Sequence, residues 1–348
     1  RPGYAARIAE GLEEHPVVAL LGPRQCGKTT LARMVAADRD HEFFDLEDPV
    51  DQQRLQAPKL ALQDRRGLVV IDEIQRKPEL FEVLRVIVDN PANEANFLVL
   101  GSAAPRLVKG ASESLAGRIG FVDLTGFDLN EVGPGAVGDL WLRGRFPRSF
   151  LARSDAASRR WRDDFIRTFL ERDIPQLGIT VPAETLRRFW TMIAHYHGQV
   201  WNAAEFARSL GRAEATARRY LDILSGAYLV RQLQPWHANV GKRQVKAPKI
   251  YIRDTGLLHA LLSLDTTRQV HSHPKYGASW EGFAIEEIVT AARSRDVYFW
   301  ATHAGAELDL LLFRGGRALG FEVKVTDAPR TTKSMRVAAS CMSSRIHV

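Results

Sequence analysis

One short stretch near the N-terminus constrains the fold of this chain more than any other feature. Residues 22–29 read Gly-Pro-Arg-Gln-Cys-Gly-Lys-Thr and fit the pattern G-x-x-x-x-G-K-[ST]. An apolar run precedes this stretch and a segment of helical character follows it, so the context is strand, loop and helix. The N–H groups of such a loop surround phosphates, and its lysine reaches the terminal phosphates. The pattern predicts ATP binding by Gly22, Pro23, Arg24, Gln25, Cys26, Gly27, Lys28, Thr29 and Thr30.

A pair of acidic residues supplies the partner that a phosphate-binding loop needs for hydrolysis. The apolar run 68–71 ends in Asp72 and Glu73. We expect Asp72 and the Thr29 hydroxyl to ligate Mg²⁺, and Glu73 to orient or deprotonate the attacking water. The next apolar run ends at Ser102, which we expect near the γ-phosphate. The alternatives are a helix N-terminal cap for the two acids and a turn serine for Ser102.

Short apolar runs recur along the first third of the chain at 17–21, 43–44, 68–71, 97–100 and 121–124, separated by helix-length segments. This pattern predicts an α/β domain with a parallel sheet and helices on both faces. A glycine-rich connection at 132–138 predicts the exit from this domain.

Two single residues near the loop leave alternatives open. Arg118 precedes the run at 121–124, where it either stabilises charge on the γ-phosphoryl group, in its own subunit or across an interface, or is an ordinary surface arginine. Cys26 lies inside the loop. The partial charge of the helix N-terminus either lowers its pKa and makes it oxidisable, or the residue is simply a small loop side chain.

The stretches 22–30, 68–75, 98–102 and 114–118 together resemble a prokaryotic family of AAA+ ATPases that carry a C-terminal domain of unknown function. The resemblance extends through the rest of the chain. It implies that Asp72 is a Mg²⁺ ligand, Glu73 the catalytic carboxylate, Ser102 a sensor and Arg118 an arginine that acts on a neighbouring subunit. The last of these roles implies a homo-oligomer.

The positive charge of the chain is concentrated in its middle third. The formal net charge is +7, and residues 151–260 alone carry +8. A localised basic surface is typical of proteins that bind a phosphate backbone, and it favours a nucleic-acid partner, DNA more than RNA. The alternative is a solvated face.

Two short helices joined by a glycine lie within this basic segment. Asn202 has the form of a helix N-cap, Gly211 ends that helix, and the next helix is predicted to bury Ala217, Tyr220, Leu221 and Leu224. Two apolar runs, 228–230 and 250–252, flank a basic loop and predict a hairpin wing. The segment resembles a winged-helix module, with nucleic-acid contacts expected from Arg212, Arg218, Arg219, Lys242, Arg243 and Lys246. The alternative is a structural element that binds a protein partner.

The C-terminal segment places two carboxylates and a lysine on a predicted hairpin. Residues 307–313 and 319–325 flank a tight turn, with Asp309 at the start of the first strand and Glu322 and Lys324 on one face of the second. Together with Glu281 on an upstream helix, they resemble the PD-(D/E)xK nuclease superfamily. The resemblance implies that Glu281, Asp309 and Glu322 hold Mg²⁺ while Lys324 positions or activates a water.

The C-terminal residues also leave alternatives open. The hairpin is either a structural element with an exposed Glu/Lys face or a nuclease fold recruited for binding. Glu286 and Glu287 compete with Glu281 for the helical position.

The expected architecture is therefore α/β, with a P-loop AAA+ ATPase core in residues 1–135. A helical, winged-helix middle follows in 136–265, and a restriction-endonuclease-like domain in 266–348. The sequence shows no signal peptide or membrane-spanning run, so we expect a cytoplasmic protein, and the chain ends suggest a trimmed product. Two functions compete. One is a DNA-acting ATPase with a Mg²⁺-dependent nuclease-like domain, and the other is an ATP-driven switch whose C-terminal domain binds a protein partner.

Overall fold

The computed structural model describes residues 1–102, 111, 113–236, 247–294, 296–302, 305–328 and 330–343, with side chains up to residue 340. The chain divides into two compact units. The first comprises Arg1–Gly126 with Gly226–Tyr228, and the second Phe127–Ser225 with Leu229–Val348. No helix within these described segments combines the length and apolar composition needed to cross a bilayer.

The first unit is built on a parallel sheet of five strands in the order β2-β3-β4-β1-β5, as the apolar runs predict. Helices α1 to α5 connect or precede these strands. The elements are α1 Pro2–Glu14, β1 Val17–Gly22, α2 Lys28–Ala36, β2 His41–Asp45, α3 Pro49–Arg54, α4 Pro58–Leu62, β3 Arg66–Asp72, a 3₁₀ turn Ile74–Arg76, α5 Leu80–Val88, β4 Glu94–Ser102 and β5 Ile119–Asp123.

Both faces of this sheet are buried because side chains alternate along each strand. Val17, Ala19 and Leu21 of β1 belong to one core, which α5 covers. Val18 and Leu20 belong to a second core, to which α1 and α2 contribute. The prediction of helices on both faces is therefore confirmed.

The second unit begins with helices. They are α6 Leu129–Val132, a 3₁₀ turn Pro134–Ala136, α7 Val137–Arg143, α8 Pro147–Phe150, α9 Asp155–Thr168, a π-helical turn Phe169–Asp173, α10 Ile174–Gln176, α11 Ala183–His195, α12 Ala203–Leu210, α13 Glu214–Gly226, α14 Thr255–Leu261, α15 Thr267–Ser272, α16 Tyr276–Ala292 and α17 Lys333–Ser343.

A six-stranded sheet in the order β11-β10-β9-β7-β8-β6 holds this unit together. Its strands are β6 Gln199–Val200, β7 Val230–Pro235, β8 Lys249–Ile252, β9 Val297–Ala301, β10 Glu307–Arg314 and β11 Arg317–Phe321. The three-part division of the chain stays a prediction. Strands on both sides of residue 265 belong to this one sheet, which a pattern of local runs does not reveal.

The two short helices of the basic segment form as the sequence predicts. The Asn202 side chain accepts from the N–H of Glu205, and Gly211 ends α12 with a φ of 62°. Helix α13 buries Ala217, Tyr220, Leu221 and Leu224. Strands β7 and β8 pair antiparallel, with Val230 opposite Ile252, so the predicted hairpin is also confirmed within the described residues.

The predicted C-terminal hairpin forms, but its second strand is shorter than expected. Strands β10 and β11 pair antiparallel around a turn at Gly315 and Gly316, where both φ values are positive. Strand β11 ends at Phe321, because the N–H of Val323 donates to the Asp309 carboxylate instead of to a neighbouring strand. Glu322 and Lys324 therefore follow the strand rather than lie within it.

Candidate functional site

The phosphate-binding loop joins β1 to α2 in the first unit. Gln25 and Gly27 take left-handed conformations with φ values of 61° and 96°, which turns the chain sharply before the helix. A Cβ at Gly22 would lie 2.2 Å from the Leu124 carbonyl oxygen, so only glycine fits there. The buried Lys28 ammonium donates to the carbonyl oxygens of Gly22 and Pro23 at 3.2 and 3.0 Å.

Strand β3 brings the first acidic residue to the loop. The Thr29 hydroxyl donates to the Asp72 carboxylate at 2.6 Å, so the two predicted Mg²⁺ ligands lie side by side. Burial raises the pKa of Asp72, and the charge of Glu73 adds to this effect. An oxygen pair of this kind, on a partly buried carboxylate and a hydroxyl, fits a hard cation such as Mg²⁺.

Glu73 follows in a left-handed conformation with a φ of 55°, a strained geometry that is common at functional positions. Its carboxylate accepts from the Gln75 amide and lies 3.7 Å from the Arg24 guanidinium. The side-chain amide oxygen of Gln75 in turn accepts from the backbone N–H of Ser102 at 3.3 Å. Ser102 is the register partner of Gly22, so the structure brings the predicted acid and the predicted sensor to the same edge of the sheet.

Arg118 lies at the amino ends of the parallel strands, whereas the phosphate loop lies at their carboxyl ends. Its carbonyl oxygen accepts from the N–H of Val17, the first residue of β1, whereas the phosphate loop follows the last residue. At about 3.3 Å per residue, the strand separates the two ends by about 17 Å. The guanidinium pairs with Asp89 at 3.0 Å. The alternative in which Arg118 acts on the site of its own subunit is therefore wrong.

Cys26 is fully buried in the loop, with its thiol directed at the Leu124 carbonyl oxygen at 3.8 Å. Burial raises the pKa of the thiol despite the nearby charges of Lys28 and Arg1. The alternative of an activated, oxidisable cysteine is therefore wrong, and Cys26 packs as a small apolar side chain. Thr30, at the end of the predicted set, is exposed.

The second unit brings the C-terminal residues together around a lysine that the sequence pattern does not single out. The Lys249 ammonium lies 3.3 Å from the Glu281 carboxylate and 3.8 Å from that of Asp309, and it contacts Glu307 more closely. Burial alone would lower the pKa of Lys249, but these three carboxylates raise it, so the side chain remains an ammonium.

The strand that carries Asp309 is irregular at this residue. The pairing of β10 with β9 shifts between Leu308 and Leu311, a bulge of the kind that re-aims side chains. Asp309 is buried and accepts from the N–H of Val323 at 2.7 Å. Glu322 accepts from the Lys324 ammonium at 3.0 Å, so the two side chains meet although both lie beyond the end of β11.

The predicted metal site does not form as expected. Across the described segments, no group of three or more histidine, cysteine, aspartate or glutamate side chains is arranged to hold a metal ion. The Lys249 ammonium contacts two of the predicted ligands, Glu281 and Asp309, and a positive side chain there opposes a divalent ion. The residues present therefore do not fit the Mg²⁺ that the nuclease resemblance implies.

The rivals of Glu281 on α16 have other roles. Glu286 is buried and pairs with Arg231 and Arg253 at 3.0 and 3.1 Å. Burial would raise the pKa of Glu286, but the surrounding arginines lower it to about 2. Glu287 accepts from Arg145 at 2.8 Å. Both acids therefore anchor the helix, and Glu281 alone faces Asp309 through Lys249.

The basic surface of the second unit is partly described. Arg212, Arg218 and Arg219 are exposed on and next to α13. Arg218 lies 3.5 Å from the exposed Glu214, a contact too solvated to hold the arginine in place. Lys242, Arg243 and Lys246, which the sequence adds to this surface, lie outside the described residues.

Comparison with known proteins places this geometry in a family. A family model for an AAA domain matches residues 14–133, and models for two domains of unknown function, DUF8612 and DUF4143, match 135–268 and 276–346. The uncharacterized proteins Rv2008c of Mycobacterium tuberculosis and Mb2031c of Mycobacterium bovis are each 55% identical over 338 residues, which span 97% of this chain and 77% of theirs. The chain belongs to their family.

The fold of this AAA-type ATPase has a solved counterpart. The Walker-type ATPase paby2304 of Pyrococcus abyssi aligns with a TM-score of 0.51 and 15% identity, over 75% of this chain and 95% of that one. At this identity the match shows the fold alone.

The contacts of two side chains in the AAA-type ATPase, Gln75 and Lys249, are not evident from its sequence. Gln75 follows Glu73 by two positions, and its amide side chain, able to donate and accept at once, is the signal that could have identified it. Lys249 is in sequence only one charge of a basic segment, because nothing local reveals that it faces carboxylates on α16 and β10.

Proposed function

We propose that this protein is an ATP-hydrolysing switch that binds DNA. In this proposal the nuclease-like C-terminal part binds a protein partner and does not cleave nucleic acid. The observation that carries the first part is the 2.6 Å contact of Thr29 with Asp72 beside the phosphate loop. In this proposal Lys28 reaches the terminal phosphates of ATP, and Thr29 and Asp72 hold Mg²⁺. The bound ion would neutralise charge on the phosphate oxygens.

Glu73 is the proposed base of the reaction. Its carboxylate directly follows the Mg²⁺ ligand Asp72, and Gln75 ties it to the end of β4 at Ser102. A carboxylate in this position accepts a proton from the attacking water or orients it. Ser102 contributes a small polar side chain at the same edge.

A homo-oligomer supplies the remaining charge in this proposal. Arg118 lies at the end of the strands opposite to the phosphate loop, where its guanidinium pairs with the half-exposed Asp89 and donates to the Ala116 carbonyl oxygen. An arginine there is available to the nucleotide of a neighbouring subunit, where it would stabilise charge on the transferred phosphoryl group.

DNA binding is proposed for the basic segment. The order helix, strand, helix, helix, strand, strand from α11 to β8 is that of a winged helix. Arg218 and Arg219 are exposed on α13, and Arg212 is exposed just before this helix. The +8 charge of residues 151–260 supports the same conclusion. Lys242, Arg243 and Lys246 of the connecting loop would add further phosphate contacts.

Binding without cleavage is proposed for the C-terminal part because Lys249 already pairs with Glu281 and Asp309, two of the three carboxylates that a nuclease would use for its metal ion. A protein partner is the ligand we propose there. Metal-dependent cleavage, the competing function, requires those carboxylates to be available.

The experiment combines ATP turnover with DNA affinity in the full-length protein. Lys28→Ala should abolish ATP hydrolysis while the fold is kept. Replacing Arg212, Arg218 and Arg219 by alanine should weaken binding of duplex DNA and reduce the slope of log affinity against log salt by up to about 3. The matched control replaces Arg314 and Arg317, which are exposed on the β10–β11 turn.

Normal turnover by Lys28→Ala would show that the nucleotide site is misplaced. An unchanged salt slope in the triple arginine variant, or an equal loss in the control, would remove the winged helix from the DNA interface.

A further inference from the structure

Lys249 occupies the centre of the C-terminal carboxylate group. It begins β8 and is only 5% exposed, yet it carries a full charge into the interior. Its ammonium contacts Glu281, Glu307 and Asp309, and it also lies 5.7 Å from the centre of the Phe299 ring. A lysine is rarely buried to this extent without such compensation.

The neighbouring side chains hold this arrangement in place. Tyr251, two residues after Lys249 on the same face of β8, donates its hydroxyl to the Glu281 carboxylate at 2.5 Å. Glu307 and Asp309 are likewise two residues apart on β10. The carboxylates therefore converge on the ammonium from α16 and from β10, each fixed by an element of the fold.

A fourth carboxylate next to this group has an oxygen without a partner. The Glu322 side chain is 10% exposed, one of its oxygens accepts from Lys324, and the other is buried and has no hydrogen-bond partner within the described structure. Glu322 directly follows the last paired residue of β11, and the N–H of the next residue, Val323, donates to the Asp309 carboxylate at 2.7 Å. An unpartnered buried carboxylate oxygen is a ready ligand for a cation.

We propose that Lys249 is the resident cation of this site and that it keeps divalent metal ions out. Glu281, Asp309 and Glu322 carry the oxygen ligands that a divalent ion prefers but are not arranged around one, and the ammonium in contact with Glu281 and Asp309 repels a second positive charge. Removing the charge of Lys249 converts the group into a site for a hard divalent ion such as Mn²⁺. This inference rests on the proposal that the C-terminal part does not cut.

The test measures Mn²⁺ binding by electron paramagnetic resonance in the full-length protein without nucleotide. Every variant carries Asp72→Asn, so that the phosphate-loop site does not contribute. We expect the protein with Lys249 to bind Mn²⁺ no better than the same protein with Asp309→Asn, and Lys249→Met to bind it at least about tenfold more tightly than the parent. Lys249→Arg keeps the charge and should bind no more than the parent, and Asp309→Asn added to Lys249→Met should remove the gain.

The parent protein keeps the proposal falsifiable even if Lys249→Met fails to fold, which circular dichroism would reveal. Mn²⁺ bound by the parent and lost in Asp309→Asn would overturn the proposal. A folded Lys249→Met that binds no more Mn²⁺ than the parent would do the same. ATP turnover and DNA affinity are measured separately, in protein that keeps Asp72, so failure of this inference is distinguishable from failure of the proposed switch.

Discussion

The two units use the same residue types, carboxylates and a lysine, in opposite ways. In the first unit the Lys28 ammonium turns to the carbonyl oxygens of Gly22 and Pro23, and Asp72 is left beside the Thr29 hydroxyl. In the second unit the Lys249 ammonium lies among the carboxylates themselves. The position of the lysine, rather than the presence of acids, therefore decides which site is suited to a metal ion.

The largest expected effect concerns Arg118, the arginine that we propose acts on the nucleotide of a neighbouring subunit. We predict that Arg118→Ala lowers kcat for ATP by about 10³-fold, the scale of an arginine that acts on a phosphoryl group. Mixed with Glu73→Gln, itself inactive, it should recover activity, because some interfaces then join an intact Glu73 to an intact Arg118. ATP turnover of the two variants alone and mixed measures this.

The mixture distinguishes an arginine that acts across a subunit interface from one whose loss impairs only its own subunit. Arg85→Ala, an exposed arginine on α5, is the control and should turn over normally. If the mixture stays as inactive as its components, Arg118 does not act across an interface.

A smaller effect is expected from Gln75, whose amide donates to Glu73 in the first site as the Tyr251 hydroxyl donates to Glu281 in the second. We predict that Gln75→Ala lowers kcat about tenfold with little change in KM, because Glu73 loses the contact that ties it to Ser102. Steady-state kinetics and the pH dependence of kcat report the change. Gln75→Glu, of equal size, should not rescue, since it places a second negative charge beside Glu73. Equal changes in both parameters for every variant would indicate a general structural defect instead.

The sequence pattern predicted which side chains of the first unit come together at the phosphate loop, except Gln75, and it missed Lys249 in the second unit. The loop, Asp72, Glu73 and Ser102 are each fixed by a short apolar run whose end they occupy, so parallel pairing brings them to one edge. Lys249, by contrast, meets Glu281, Glu307 and Asp309 only through tertiary packing. The early end of β11 depends on the same kind of contact, because the Asp309 side chain takes the N–H of Val323.

The smallest expected effect is a loss of stability of the second unit at acidic pH. His197 and His259 of the second unit are buried, and burial lowers the pKa of each to about 3. The unfolded state then binds more protons below about pH 6.5, so stability falls as the pH is lowered from there towards 3. We predict that each histidine costs about 1–2 kcal/mol of unfolding free energy between pH 7 and pH 5.

Urea unfolding at pH 7 and pH 5 measures this loss. His197→Gln should show a smaller loss between the two values than the parent, since it removes one group that gains a proton on unfolding. His195→Gln, a neighbour on α11, serves as the control. Parallel pH dependence in parent and His197→Gln would contradict the assignment of His197 as a buried neutral histidine.

The central claim is that the first site hydrolyses ATP, whereas in the second site Lys249 pairs with the carboxylates and keeps a catalytic metal ion from binding. The most direct measurement is cleavage of supercoiled, linear and branched DNA by the full-length protein with Mg²⁺ or Mn²⁺, with and without ATP, alongside Asp309→Asn. The structure predicts DNA that is bound and left intact while ATP is hydrolysed, with no difference in Asp309→Asn. Cleavage that disappears in Asp309→Asn would contradict the account.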